Sequence, residues 1–153
     1  MRRSFLLSLL MSAASLTRAG DDAGPTAVAQ RLFDAMAAHD GAGARALFTP
    51  DANLIAVAPD GKVTVTPIEK WTDRLSSATD KWLERMWSPK VQEHNAIATV
   101  WAQYDFHVNG KFTHCGIDTF TLVKTNGEWR IAALVFTRET SACPESPLGS
   151  PRA

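Results

Sequence analysis

Apolar residues recur at helical spacing in the first half of the chain and alternate with polar ones in the second half. In residues 25–39, Val28, Leu32, Ala35, Met36 and His39 fall on one stripe behind Pro25, which suits a first turn, so a helix is predicted there. Asp40-Gly41 interrupts it, and a second short helix is predicted over residues 42–48, burying Leu47 and Phe48 and stopping at Pro50. Residues 53–58 read as a short apolar strand turned by Pro59-Asp60-Gly61, with residues 63–66 returning. Thr66-Pro67-Ile68-Glu69 has the form of a capping box with proline at the first helical position. It predicts a third helix to about residue 78, with Ile68, Trp71 and Leu75 on one side. Residues 82–91 read as a strand, with Pro89 marking an edge or a bulge.

Residues 97–138 read as three long strands joined by tight turns at Asn109-Gly110 and Asn126-Gly127. Such turns fix the register, and the register decides which side chains share a face. Pairing Val108 with Lys111 sets Asp105 opposite His114 and Trp101 opposite Asp118. Pairing Thr125 with Glu128 sets Asp118 opposite Val135 and Phe120 opposite Ala133. One face then carries Trp101, Gln103, Asp105, His107, His114 and Asp118 at one end, and Ile97, Phe120, Leu122, Trp129, Ile131 and Ala133 at the other. A face that is apolar at one end and ionisable at the other implies a closed core opening into a pocket. The opposite face carries Val100, Ala102, Tyr104, Phe106, Ile117, Leu134 and Phe136. A second apolar face needs a cover, and the simplest is another copy across a two-fold axis, so a homodimer through the outer sheet face is expected.

Helices followed by an antiparallel meander define an α+β fold, here a cone-shaped curved antiparallel sheet wrapped around N-terminal helices. The first residues change the picture of where the protein works. Arg2 and Arg3 precede an apolar run and Thr17-Arg18-Ala19 supplies small residues for cleavage, so residues 1–19 read as a signal peptide and the mature protein as secreted or periplasmic. The run is too short and too serine-rich to span a bilayer comfortably, and no membrane association is expected after cleavage. The whole chain holds 16 basic and 16 acidic residues, and losing Arg2, Arg3 and Arg18 leaves it slightly acidic with no basic patch, which argues against nucleic acid as a partner. Cys115 and Cys143 are the two cysteines, and an even count in an exported chain favours a disulfide over two unrelated thiols. The proline-rich residues 143–153 read as a flexible tail.

Taken together, Ala38-His39-Asp40, Ala46-Leu47-Phe48-Thr49-Pro50-Asp51-Ala52, Val100-Trp101-Ala102-Gln103-Tyr104-Asp105-Phe106, His114-Cys115-Gly116-Ile117-Asp118-Thr119-Phe120 and Gly127-Glu128-Trp129-Arg130-Ile131 resemble the nuclear-transport-factor-2-like superfamily and, within it, the SnoaL-like domain. The resemblance covers residues 25–139, the expected domain. It implies a cone-shaped barrel, often dimeric, with a pocket between helices and sheet. The superfamily includes steroid isomerases, scytalone dehydratase, limonene epoxide hydrolase, polyketide cyclases and binding proteins without catalysis, so fold alone does not name a function.

Asp118 matches the position where steroid isomerases keep a carboxyl hydrogen-bond donor and polyketide cyclases an acid-base aspartate. In an apolar pocket its pKa rises, because desolvation penalises the charged form, and it becomes able to donate a proton near neutral pH. A structural aspartate bonded to a tryptophan N–H is the plainer alternative. His114 is the second candidate, either as a base whose tautomer Asp105 fixes or as an ordinary cross-strand pair at the rim. By the same alignment the isomerase base falls near Ala56, which takes no proton. The expected pocket is walled by Trp71, Trp101, Phe120 and Val135, with Gln103, His114 and Asp118 supplying polarity. Such walls suit a small apolar or aromatic ligand. The histidines show no metal-ligand spacing, and no cofactor motif occurs. Three functions stay open: an exported small-molecule-binding domain, a cyclase, isomerase or dehydratase using Asp118 as acid-base with His114 assisting, or a purely structural dimer module whose pocket is filled by its own side chains.

Overall fold

Helix α1 (Pro25–Ala37) begins with proline in its first turn, where a missing N–H forfeits no hydrogen bond. The computed structural model describes residues 24–151, so the expected signal segment lies outside the described residues. The predicted stripe is the buried one, with Val28, Ala29, Leu32, Phe33 and Met36 turned inward. Helix α2 (Gly41–Ala46) starts at Asp40, whose carboxylate accepts the Gly43 N–H at 2.8 Å. It ends earlier than its composition suggests. The Leu47 carbonyl already accepts the Ile131 N–H at 2.8 Å, which draws Phe48 into the sheet as the first residue of β1 (Phe48–Val57).

Strand β2 (Val63–Pro67) returns antiparallel to β1, and helix α3 (Ile68–Ser76) follows at once. No capping box forms. Thr66 is held in the ladder opposite Leu54, which leaves Pro67 as the cap residue with no side-chain bond to give. Four long strands complete the fold: β3 (Trp82–His94), β4 (Ile97–Val108), β5 (Lys111–Thr125) and β6 (Glu128–Thr137). The sheet runs in the order β2-β1-β6-β5-β4-β3. All neighbours are antiparallel except β1 and β6, which pair in parallel, so the sheet is mixed rather than wholly antiparallel. It curves around the helices, with α1 resting on β3, β4 and β6 and α3 on β1 and β2. Leu32, Phe33, Leu75, Val100, Phe120, Leu122 and Ile131 form the closed, apolar end of this α+β cone.

Both Asn-Gly turns adopt positive φ at both residues, 51° and 75° at Asn109-Gly110 and 54° and 84° at Asn126-Gly127. The pairs they set, Val108 with Lys111 and Thr125 with Glu128, are the predicted ones. The register then slips twice. His107 faces Phe112 but Phe106 faces His114, so Thr113 is an extra residue bulged out of β5. Its hydroxyl bonds to the Phe106 carbonyl at 3.0 Å. Likewise Thr121 faces Ala133 but Leu122 faces Ile131, so Ala132 bulges from β6. Each bulge exchanges inside for outside beyond it.

The two bulges correct the predicted faces. Asp118 pairs with Ala102 and Phe136, not with Trp101 and Val135, and Asp105 pairs with Cys115, not with His114. Val100, Ala102, Tyr104, Phe106, Leu134 and Phe136 therefore line the cone interior, where the helices cover them, and the argument for a dimer built on those positions falls away. Trp101 and Val135 point outward and remain 38% and 36% exposed, and Lys90 lies over the Trp101 ring at 5.5 Å.

The outer face also holds Asp105 and His107, both buried. Arg85 grips Asp105 with two bonds of 2.9 and 2.6 Å, and His107 Nε2 stands 3.3 Å from the same carboxylate. The segment after β6, expected to be a flexible tail, crosses this cluster. It is tied by the Cys115–Cys143 disulfide, with Cα atoms 5.9 Å apart, and by a bond from Arg85 to the Gly149 carbonyl at 2.9 Å.

Candidate functional site

The open end of the cone holds a cavity of about 450 Å³ between the sheet interior and helices α1 and α3. Period-two alternation places its lining. From β3 come Trp82 and Glu84, from β4 Tyr104 and Phe106, from β5 His114 and Asp118, and from β6 Leu134 and Phe136. Leu54 and Ala56 of β1 close one side, while Trp71 and Arg74 of α3 and Arg138 just past β6 complete the wall.

Asp118 lies on this wall at 1% exposure, and its Oδ2 has no hydrogen-bond partner among the described residues. Burial pushes its pKa up to about 7, against a downward pull from a hydrogen bond with Glu84. Glu84 is driven well above the ordinary carboxylate range by burial, and then by the charge and hydrogen bond of Asp118. Both carboxyls are thus pushed toward their protonated forms, and a hydrogen bond links the two. Two carboxyls so close in an apolar pocket do not both ionise. They form an acid and a weak base side by side, the combination that proton transfer to or from a bound molecule requires.

His114 stands nearby with its ring 5.0 Å from Phe106 and edge-on to Tyr104 at 5.8 Å. Burial, and then the Arg138 charge, lower its pKa to about 4, so it is neutral at physiological pH. Thr113 Oγ1 lies 2.8 Å from His114 Nδ1 and spends its one proton on the Phe106 carbonyl. Nδ1 must then carry the imidazole proton, which leaves Nε2 as an acceptor. The bulge that corrects the register also selects the tautomer. Tyr104 donates its hydroxyl to the Thr137 carbonyl at 2.7 Å and is held un-ionised by burial.

Gly116 makes this arrangement possible. A Cβ there would lie 2.2 Å from the Thr137 carbonyl oxygen, the group that Tyr104 needs. The Ile117 N–H bonds to Thr137 Oγ1 at 3.0 Å, so β5 and the end of β6 meet backbone to backbone beneath the pocket.

Of the residues expected at the site, Asp118, His114 and Trp71 line the cavity. Trp101, Gln103 and Val135 do not, because the bulges turn them to the outer face. Phe120 faces inward but deeper, packed against Phe33 at 6.1 Å in the closed core. The partner expected for His114, Asp105, is on the other side of the sheet with Arg85. Glu84, Trp82, Phe106, Phe136 and Arg138 were not anticipated. Glu84 had a readable signal, since Trp82, Glu84 and Met86 alternate and a lone carboxylate among apolar inward positions demands a partner. Among the described residues no group of three or more metal-ligating side chains occurs.

A family profile described as "Putative lumazine-binding" matches residues 21–137. No curated protein matches the sequence. Several solved structures share the fold. A nuclear-transport-factor-2-like protein of unknown function from Shewanella baltica is 19% identical, with a TM-score of 0.58 over 76% of this chain and 91% of that one. One from Novosphingobium aromaticivorans, described as having a cystatin-like fold, is 13% identical with a TM-score of 0.60 over 76% and 80% of the two chains. A protein of unknown function from Mycobacterium tuberculosis is 17% identical with a TM-score of 0.64 over 84% and 74%. These likenesses establish the fold and leave the chemistry to the residues present.

Proposed function

This chain belongs to the lumazine-binding-like family of the nuclear-transport-factor-2-like superfamily, and we propose that it is an exported domain that binds a small, flat molecule in the cone. The observation that carries the reading is the cavity of about 450 Å³, with Trp71, Trp82, Phe106 and Phe136 as walls and the Glu84–Asp118 carboxyl pair set among them. Aromatic walls supply area for a planar body, and a few buried polar groups fix its orientation. Lumazine, the molecule in the family's name, is a planar bicyclic heteroaromatic with hydrogen-bonding edges that suit the Glu84–Asp118 pair and His114 Nε2. The Cys115–Cys143 disulfide supports a secreted or periplasmic setting. No helix among the described residues is long and apolar enough to cross a membrane.

The neutral dye N-phenyl-1-naphthylamine, fluorescent in apolar surroundings, tests the pocket. Saturable binding by the protein and its loss in Ala56→Trp, which fills the cavity, are the expected results. Binding undiminished in a folded Ala56→Trp protein refutes the reading. A second reading, catalysis, is favoured by the carboxyl pair itself: Glu84 as acid and Asp118 as base would serve an isomerisation, cyclisation or dehydration, with His114 accepting a hydrogen bond from the substrate. Once a substrate is known, Asp118→Asn must abolish turnover and remove a limb near pH 7 from the rate profile. Retained turnover would exclude it.

We also propose that two copies pair through the outer sheet face. Trp101, Thr119 and Val135 form one row across β4, β5 and β6, and two of the three are large exposed apolar residues. Light scattering at micromolar concentration should show a dimer that Trp101→Glu dissociates; a monomeric wild type excludes the pairing.

A further inference from the structure

We propose that the cavity selects an anionic ligand: a flat apolar body among the aromatic walls, carrying a carboxylate, sulfonate or phosphate held by Arg74 and Arg138. The inference rests on the binding reading above and narrows its ligand class. Arg74 sits in the last turn of α3 and Arg138 just beyond β6; both line the cavity, and both are exposed, which places them at its mouth. Elsewhere guanidinium groups are matched to carboxylates, Arg45 to Glu69, Arg85 to Asp105 and Arg130 to Glu128. Neither Arg74 nor Arg138 has a side-chain hydrogen bond or ion pair among the described residues.

The charges facing this mouth do not neutralise it. Glu84 and Asp118, deeper in the pocket, are both held toward their uncharged, protonated forms by burial. His114 is neutral and feels the Arg138 charge directly, so that guanidinium acts on the pocket interior. Glu139 is the one other carboxylate whose charge is felt at the Tyr104 wall, and it forms no ion pair with Arg138. Two cations at the rim of an apolar hollow attract an anion on approach and fork onto its oxygens once it is seated. The acid pair at the inner end repels a second negative group, so the ligand is charged at one end only.

Two dyes that differ by one group read this out: 8-anilinonaphthalene-1-sulfonate and its uncharged counterpart N-phenyl-1-naphthylamine. The wild-type protein should prefer the sulfonate by about tenfold at low salt, and about 1 M NaCl should erode the preference. In Arg74→Gln/Arg138→Gln, two exposed changes, the ratio should collapse to about one. An equal affinity for both dyes in the wild type, or a preference that survives in the double variant, overturns the anionic assignment while leaving the pocket intact. Failure of both dyes to bind, or binding of both undiminished in Ala56→Trp, overturns the pocket reading itself and this inference with it.

Discussion

Replacing Asp118 and Glu84 by their amides tests the buried pair without needing a ligand. Both carboxyls have folded-state pKa values above those of the free side chains, 3.8 for Asp118 and 4.5 for Glu84. In the window between free and folded values the folded protein holds a proton that the unfolded chain has released. The stability this provides is complete below about pH 4, declines as pH rises, and is gone above the folded values. Each such carboxyl contributes a slope of about 1.4 kcal/mol per pH unit. Between about pH 5 and 6 Asp118 is in the window, since it titrates at about 7, and Glu84 is shifted in the same direction. Asp118 alone should therefore lower stability by about 1 kcal/mol over that unit, a sizeable part of the 5–15 kcal/mol typical of a domain. Urea unfolding followed by tryptophan fluorescence measures it. Asp118→Asn should lose that slope, and Asp118→Asn/Glu84→Gln should also lose what Glu84 adds in the same direction. His114, whose pKa is lowered to about 4, tilts stability the opposite way, losing it as pH falls below about 6.5, but equally in all the variants. The comparison is thus between proteins at each pH. A wild type and double variant whose stabilities run parallel from about pH 5 to 6 would show that the carboxyls are solvated in the folded protein.

Gly116→Ala should destabilise the domain by about 1–3 kcal/mol, because its methyl meets the Thr137 carbonyl and forces β5 from the end of β6; unchanged thermal melting would refute this. Cys143→Ser opens a loop with a sequence separation of 28 and should remove about 3–4 kcal/mol, with the oxidised wild type returning to the variant's urea midpoint when reduced. Asp105→Asn leaves Arg85, whose side chain is only 15% exposed, without its carboxylate and should cost about 3–5 kcal/mol in a melt at neutral pH; a loss under about 1 kcal/mol would mean the guanidinium finds water or the tail carbonyl sufficient.

Much of the architecture is legible in the residues themselves. Asn109-Gly110 and Asn126-Gly127 announce their hairpins because few other pairs tolerate two left-handed residues in succession. The α1 stripe follows from its spacing. The faces were harder, because Thr113 and Ala132 look like ordinary strand residues. Nothing local distinguishes a bulged threonine from a paired one, and the choice is made by which side chains the helices cover. Asp118 was nonetheless assigned to the interior, since Phe120 and Leu122 set the parity of β5 beyond the bulge. Trp101 was misplaced because a register drawn without the Thr113 bulge set it opposite Asp118, whereas the fold uses the indole outside, beneath a lysine. The residues that complete the cavity, Glu84 on β3 and Arg138 past β6, are brought to Asp118 by sheet curvature, which a register drawn on a flat meander does not contain. The tail over Arg85 and Asp105 was visible only through its cysteine.

Thr113 gives the β5 strand something like a reading frame. Were Thr113 paired with Phe106 instead of bulged, His114, Gly116 and Asp118 would turn toward solvent and Cys115, Ile117 and Thr119 would come inside, much as a frameshift rewrites every codon downstream. Proteins of this fold at the 13–19% identity seen among the similar structures can differ by gaining or losing such a bulge while keeping the same outline. Their pockets would then be furnished from opposite sides of an otherwise superimposable strand, so one bulge is enough to give this scaffold a new chemical interior.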